Sequence, residues 1–148
     1  MNQATLPAVL IRRRFDAPPA RVYDAFANIK SFAELMRPED VKLEESEADV
    51  GEGGEYKIVL RVAGDDLWTL HGTYREVSPP NRLALTWIWS EDDAKDEQHT
   101  LLTLEFASDG NGTELTLRHE LFLREESRAS HERGWGACLD KLTAQLPR

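Results

Sequence analysis

Four histidines, a lone cysteine and five aromatic side chains are the residues of this sequence best suited to chemistry or recognition. His119 follows Leu115 and Leu117 at intervals of two, with Leu121 next in the series, so a strand here would carry the imidazole on its apolar face. A histidine in such surroundings resists protonation and responds to its neighbours. It suits a polar anchor or a general base, or equally a core histidine bonded to backbone or water. His131 lies near the start of a carboxy-terminal helical pattern, on the same stripe as Trp135, so two imidazoles could face one interior. Tyr56, Trp68, Trp87 and Trp89 fall on the inward phase of three strand patterns, and Trp135 on the helix opposite. Flat apolar walls with a few polar groups among them are how pockets orient small molecules, although the same rings could simply fill a core.

Several chemistries are disfavoured. No two histidines have the i, i+4 or H-x-H spacing of a zinc site, and Cys138 has no cysteine partner, so neither a metal nor a cofactor is expected. "GEGGEY" lacks the spacing of a dinucleotide or phosphate loop, and the carboxylates of "SEDDAKDEQ" lack that of a calcium loop. No G-x-S-x-G elbow occurs. No residue is assigned a catalytic role on this basis. The net charge of -9, from 27 acidic against 18 basic residues, opposes phosphate backbones and anionic lipid, so neither nucleic acid nor a membrane surface is expected as a partner. The start "MNQATLPAVLI" does not read as a secretory signal, no stretch approaches about 20 apolar residues, and one cysteine permits no internal disulfide; a cytoplasmic protein is expected.

The elements that must position these side chains follow from periodicity. "AVLIRRRF" (8–15) reads as a strand that breaks at "DAPPA". Pro19 then suits the first turn of a helix, with Val22, Ala25, Phe26 and Ile29 on one face, and "SFAELM" (31–36) adds a short second helix. From about residue 40 the period becomes alternating. "VKLEESEADV", "EYKIVLRV", "DDLWTLHGTYREV", "RLALTWIWS", a strand carrying Leu102, Leu104 and Phe106, and a last one carrying Leu115 to Leu121 predict about six strands. Turns are read at Gly64-Asp65, "SPPN" and "DGNG", and "EDDAKDEQ" is read as a solvated loop. A closing helix is predicted over about 127–146, ended by Pro147. Strands bunched together with helices outside the run predict a single α+β domain, residues 1–148, with an antiparallel sheet.

Within "SHERGWGACLDKL" two glycines flank Trp135, each costing a helix about 1 kcal/mol relative to alanine. Leu139, Leu142 and Leu146 lie within roughly 40° of Trp135 around the helix, and Gly134 and Gly136 about 100° to either side. A curved sheet closing on the flanks of the helix would explain them, the glycines giving room for its close approach; the other reading is that they only loosen the helix.

Taken in order, "RRRFDAPPARVYDAF", "GEGGEYKI", "LHGTYREVSPPNRLALTWIW", "GTELTLRHEL" and "HERGWGACLDKL" resemble the successive signatures of homologues of the activator of the heat-shock-protein-90 ATPase, within the SRPBCC superfamily of START and birch-pollen-allergen-like domains. The resemblance covers about residues 8–146. It implies a helix-grip fold: a curved seven-stranded antiparallel sheet around a long carboxy-terminal helix, one or two short helices after the first strand, and a cavity between sheet and helix. Where many relatives carry a tryptophan after the first helices, this chain has Leu35-Met36. Relatives bind lipids, hormones or polyketides, and some are enzymes, so three functions follow as expectations. The first is binding of a small apolar or amphipathic molecule by Tyr56, Trp68, Trp87, Trp89, His119, His131 and Trp135. The second is a cyclase or dehydratase with His119 or Tyr56 as acid or base. The third is stimulation of a chaperone ATPase through protein contact, for which the separate amino-terminal domain of the true activators has no counterpart in these 148 residues.

Overall fold

In the computed structural model, residues 6–62, 66–90 and 99–146 are described; the expected turn at Gly64-Asp65, the acidic stretch 91–98 and Pro147 lie outside them. The element order is β1 (Val9–Phe15), α1 (Pro19–Ala27), α2 (Ile29–Met36), β2 (Lys42–Ala48), β3 (Glu55–Arg61), β4 (Leu67–Ser78), β5 (Arg82–Ser90), β6 (His99–Asp109), β7 (Gly112–Glu120) and α3 (Glu125–Gln145). The strands form one sheet in the order β1-β7-β6-β5-β4-β3-β2, with every neighbouring pair antiparallel. Strands β2 to β7 therefore follow each other as a meander. The chain between β1 and β2 has to cross from one edge of the sheet to the other, and α1 and α2 make that crossing. This is the expected α+β helix-grip architecture, with three helices, the last of them long.

The alternation read from the sequence is the alternation of the sheet. Ile58, Leu60, Leu70, Leu83, Leu85, Leu102, Leu104, Leu115 and Leu117 are all buried, against Val22, Phe26, Phe32 and Leu35 from α1 and α2 and Trp135, Leu139 and Leu142 from α3. The helical stripe expected to run from Val22 to Ile29 is divided at Asn28. Its side chain accepts from Ser31 N–H at 3.1 Å and caps α2, so the two helices meet at an angle instead of continuing. Lys141 of α3 donates to the carbonyls of Glu34 (3.1 Å) and Arg37 (2.6 Å), satisfying acceptors that the end of α2 leaves open. Arg13 of β1 pairs with Asp140 at 2.7 Å on the same helix.

The sheet is drawn tight at Gly72. A Cβ there would lie 2.1 Å from the Thr86 carbonyl oxygen of β5, so no other residue fits without moving backbone. Tyr56, opposite Gly72 in β3, reaches across it and donates its hydroxyl to that same oxygen at 2.6 Å, while Thr86 Oγ1 accepts from Thr73 N–H at 2.8 Å.

Two expectations are corrected. Gly134 and Gly136 are not pressed by strands: beyond the adjoining helix backbone and chain neighbours, a Cβ on either would meet no heavy atom within 4 Å. Leu121 does not continue the inward phase of β7, because the strand ends at Glu120 and Leu121 adopts φ 75°, which turns its side chain out to 52% exposure and buries Phe122 in its place.

Candidate functional site

A cavity of about 460 Å³ opens between α3 and the β3-β4-β5 side of the sheet, reached also by the end of α2. Leu60 and Val62 from β3, Trp68 from β4, Trp87 and Trp89 from β5 and Thr100 from β6 form its sheet side. His131, Gly134, Trp135 and Cys138 form its helix side, with Arg124, Ser127 and Ser130 at the start of α3. Met36, Pro38, Val41 and Phe122 complete it. Trp68 is 40% exposed, an indole at the rim; Trp87 and Trp135 are buried.

The aromatic side chains at the cavity form one continuous cluster, while Tyr56 pairs with Tyr74 apart from it. Trp87 lies 5.0 Å from Trp135 and 5.4 Å from His119 by ring centroids, Phe32 stacks on Trp135 with 9° between planes, and Trp89 bridges Trp87 to Trp68. His119 and His131 stand edge to face 5.0 Å apart, each against Phe122.

Two hydrogen-bond chains fix the protons of the two imidazoles. Trp135 Nε1–H donates to His119 Nδ1 at 3.0 Å, so His119 carries its hydrogen on Nε2 and donates to Thr100 Oγ1 at 2.8 Å; the Thr100 hydroxyl in turn donates to the Trp87 carbonyl at 2.7 Å. In the second chain, Trp87 Nε1–H (3.3 Å) and Trp89 Nε1–H (3.2 Å) both donate to His131 Nε2, which places the His131 hydrogen on Nδ1 and directs it to the Ser127 carbonyl at 2.8 Å. Burial holds His119 well below the ordinary histidine value, and the neighbouring His131 lowers it further. His131 is lowered as well, by burial, with the Ser127 carbonyl acting in the opposite direction. Burial also raises the Cys138 thiol to about 12, so it stands as a neutral thiol on the wall.

Of the residues singled out from the sequence, Trp68, Trp87, Trp89, His131 and Trp135 meet at this cavity. Tyr56 and His119 are not on its wall. Tyr56 is inward, as its phase requires, but its hydroxyl is taken up by the Thr86 carbonyl, and burial raises the phenol well above its usual value. His119 lies behind the wall with both ring nitrogens engaged. In this arrangement the Tyr56 hydroxyl and both His119 nitrogens are directed to protein partners and not to the cavity. Thr100 and Phe122 were not anticipated. Thr100 shares the inward phase of Leu102 and Leu104, a usable signal; Phe122 owes its place to the turn of the backbone at Leu121, which alternation does not reveal.

The model of the family described as activator of Hsp90 ATPase homolog 1-like protein matches residues 16–146. The chain belongs to this family. Protein CV1439 from Chromobacterium violaceum is 26% identical, with a TM-score of 0.83 over 97% of this chain and 99% of that one. The family protein SPO3351 from Silicibacter pomeroyi is 22% identical, with a TM-score of 0.78 over 96% of both chains, and protein Mll3558 from Rhizobium loti is 21% identical, with a TM-score of 0.80 over 97% of this chain and 100% of that one. No curated protein matches the chain. The family's fold, that of the SRPBCC superfamily, generally binds hydrophobic ligands. Among the described residues of this family member, no helix is long and apolar enough to cross a membrane, and no three His, Cys, Asp or Glu side chains converge as a metal site would require.

Proposed function

We propose that the chain binds one small apolar or amphipathic molecule in the cavity between the sheet and α3. The observation that carries this reading is the cavity itself: about 460 Å³, within the roughly 300–1,000 Å³ typical of small-molecule sites, walled by indoles and aliphatic side chains. Arg124, Ser127 and Ser130 supply polar groups along one part of it, which suits a molecule with a polar end. Gly134 supports the same reading. It lies on the cavity wall with open space where a side chain would begin, so the helix gives up about 1 kcal/mol of propensity at a position where any larger residue would intrude on the hollow. Nothing in the structure explains Gly136.

The test fills the hollow. Native mass spectrometry of the wild-type protein from its own host should show a retained molecule, and the fluorescent probe 1-anilinonaphthalene-8-sulfonate should bind with enhanced emission. Gly134→Phe should weaken probe binding at least tenfold while the protein unfolds at no lower temperature. A wild-type protein that neither retains a molecule nor binds the probe overturns the reading, as does a Gly134→Phe protein that binds it as well as the wild type.

A further inference from the structure

The second hydrogen-bond chain is unbalanced. A neutral imidazole nitrogen has one lone pair, in the plane of its ring, yet His131 Nε2 receives two indole N–H groups, from Trp87 and Trp89. Both distances, 3.3 and 3.2 Å, exceed the 3.0 Å at which the single indole of Trp135 donates to His119 Nδ1, as expected of two donors sharing one acceptor. Nδ1 cannot relieve the competition, since its hydrogen is committed to the Ser127 carbonyl. The cavity wall therefore carries one N–H more than it can fully satisfy.

The two indoles are not equivalent. Trp87 is buried and held by rings on several sides: Phe32 at 5.8 Å, His119 at 5.4 Å and Trp135 at 5.0 Å. Trp89 is half-buried, and the indoles of Trp87 and the rim residue Trp68 are its ring neighbours. Trp89 is thus the donor that can turn from His131 to a guest while Trp87 Nε1–H takes the imidazole lone pair to itself. A guest oxygen that accepts this N–H relieves the competition; a guest of the same shape without one leaves it in place, and a guest with only a donor finds the Nε2 lone pair occupied.

We infer that the cavity selects, among apolar molecules that fit it, those bearing a hydrogen-bond acceptor such as a carbonyl oxygen, through the shared Trp87 and Trp89 N–H groups. This rests on the reading of the cavity as a receptor. The test uses fluorene and 9-fluorenone, tricyclic compounds of nearly the same shape that differ in a methylene or a carbonyl at one position. Their dissociation constants are measured by tryptophan fluorescence for wild-type protein and for Trp89→Phe, which keeps a ring and removes one N–H. The preference for fluorenone over fluorene should be about three- to tenfold greater in the wild type than in the variant, the range expected for one net hydrogen bond. Comparing the two proteins cancels the different hydration of the two compounds. Should Trp89→Phe fail to fold, indole proton NMR of the wild type decides: fluorenone should move one indole N–H resonance downfield and fluorene should not. Equal preference in both proteins, or equal shifts with both compounds, overturns the acceptor selectivity and leaves the receptor standing. Failure of both compounds to bind the wild type removes the receptor, and the selectivity with it.

Discussion

Replacing Gly134 and Gly136 by alanine decides between two accounts of the terminal helix. If strands gripped its flanks at these positions, each added methyl would strike them and the protein would lose stability. The structure gives the opposite sign, since neither Cβ would meet a heavy atom of another element within 4 Å. What remains is the conformational term: glycine in a helix interior costs about 1 kcal/mol relative to alanine, so the double variant should gain about 2 kcal/mol. For a chain of this length each kilocalorie moves the midpoint by roughly 2–4 °C, which predicts a rise of about 4–8 °C in thermal unfolding followed by circular dichroism at 222 nm. Urea unfolding should move its midpoint upward with an unchanged slope, because the surface exposed on unfolding hardly differs. The single variants should contribute about equally to stability. They should differ in ligand binding, since Gly134 is on the cavity wall and Gly136 is not. A midpoint unchanged or lowered in the double variant would refute the reasoning, by showing that something does press on the helix there.

Two further outcomes follow from the buried network. Burial, with the neighbouring His131 adding to it, holds folded His119 well below the ordinary histidine value, so below about 6.5 the unfolded chain binds a proton that the native one does not; its contribution to stability is intact above about 6.5 and falls as the pH drops below. His131, lowered in the same direction, adds to the slope, and urea midpoints that do not fall over this range would contradict the assignment of a neutral pair. Thr100→Val preserves shape but leaves His119 Nε2–H and the Trp87 carbonyl without their buried partner, which should cost about 1–3 kcal/mol in urea unfolding, and a neutral result would mean that the hydroxyl is not the link between them.

Most of the fold was legible because most of it obeys one period at a time. The inward residues of β3 and β7 alternate along the whole strand and those of β4 up to the bulge after Tyr74, and the helix stripe from Trp135 to Leu142 is spaced as a helix requires. The glycines on α3 show where such reasoning stops. Their angular placement was right, but periodicity gives the direction of a side chain and not what stands opposite, and opposite Gly134 there is a hollow. Phe122 fails for another reason. A single left-handed residue at Leu121 exchanges the inward and outward roles of its neighbours, and no composition rule marks a leucine as the residue that will adopt φ 75°.

His119 and His131 are the sharper case, because the sequence treats them alike: each is one imidazole on an otherwise apolar stripe. Their difference lies in the number of donors and acceptors that reach them. Around His119 the count balances, with one indole donor into Nδ1, one hydroxyl acceptor for Nε2–H and one carbonyl beyond it, all buried, so the ring behaves as a fixed part of the core. Around His131 the count is uneven by one N–H, and that imbalance faces a hollow instead of packed side chains. A balanced network has nothing to offer a guest, whereas an unbalanced one gains by accepting an oxygen from it. Both imidazoles have their two ring nitrogens engaged, so what distinguishes them is the surplus donor beside His131, and it is that indole N–H, not the histidine carried by the strand, through which the proposed selectivity would act.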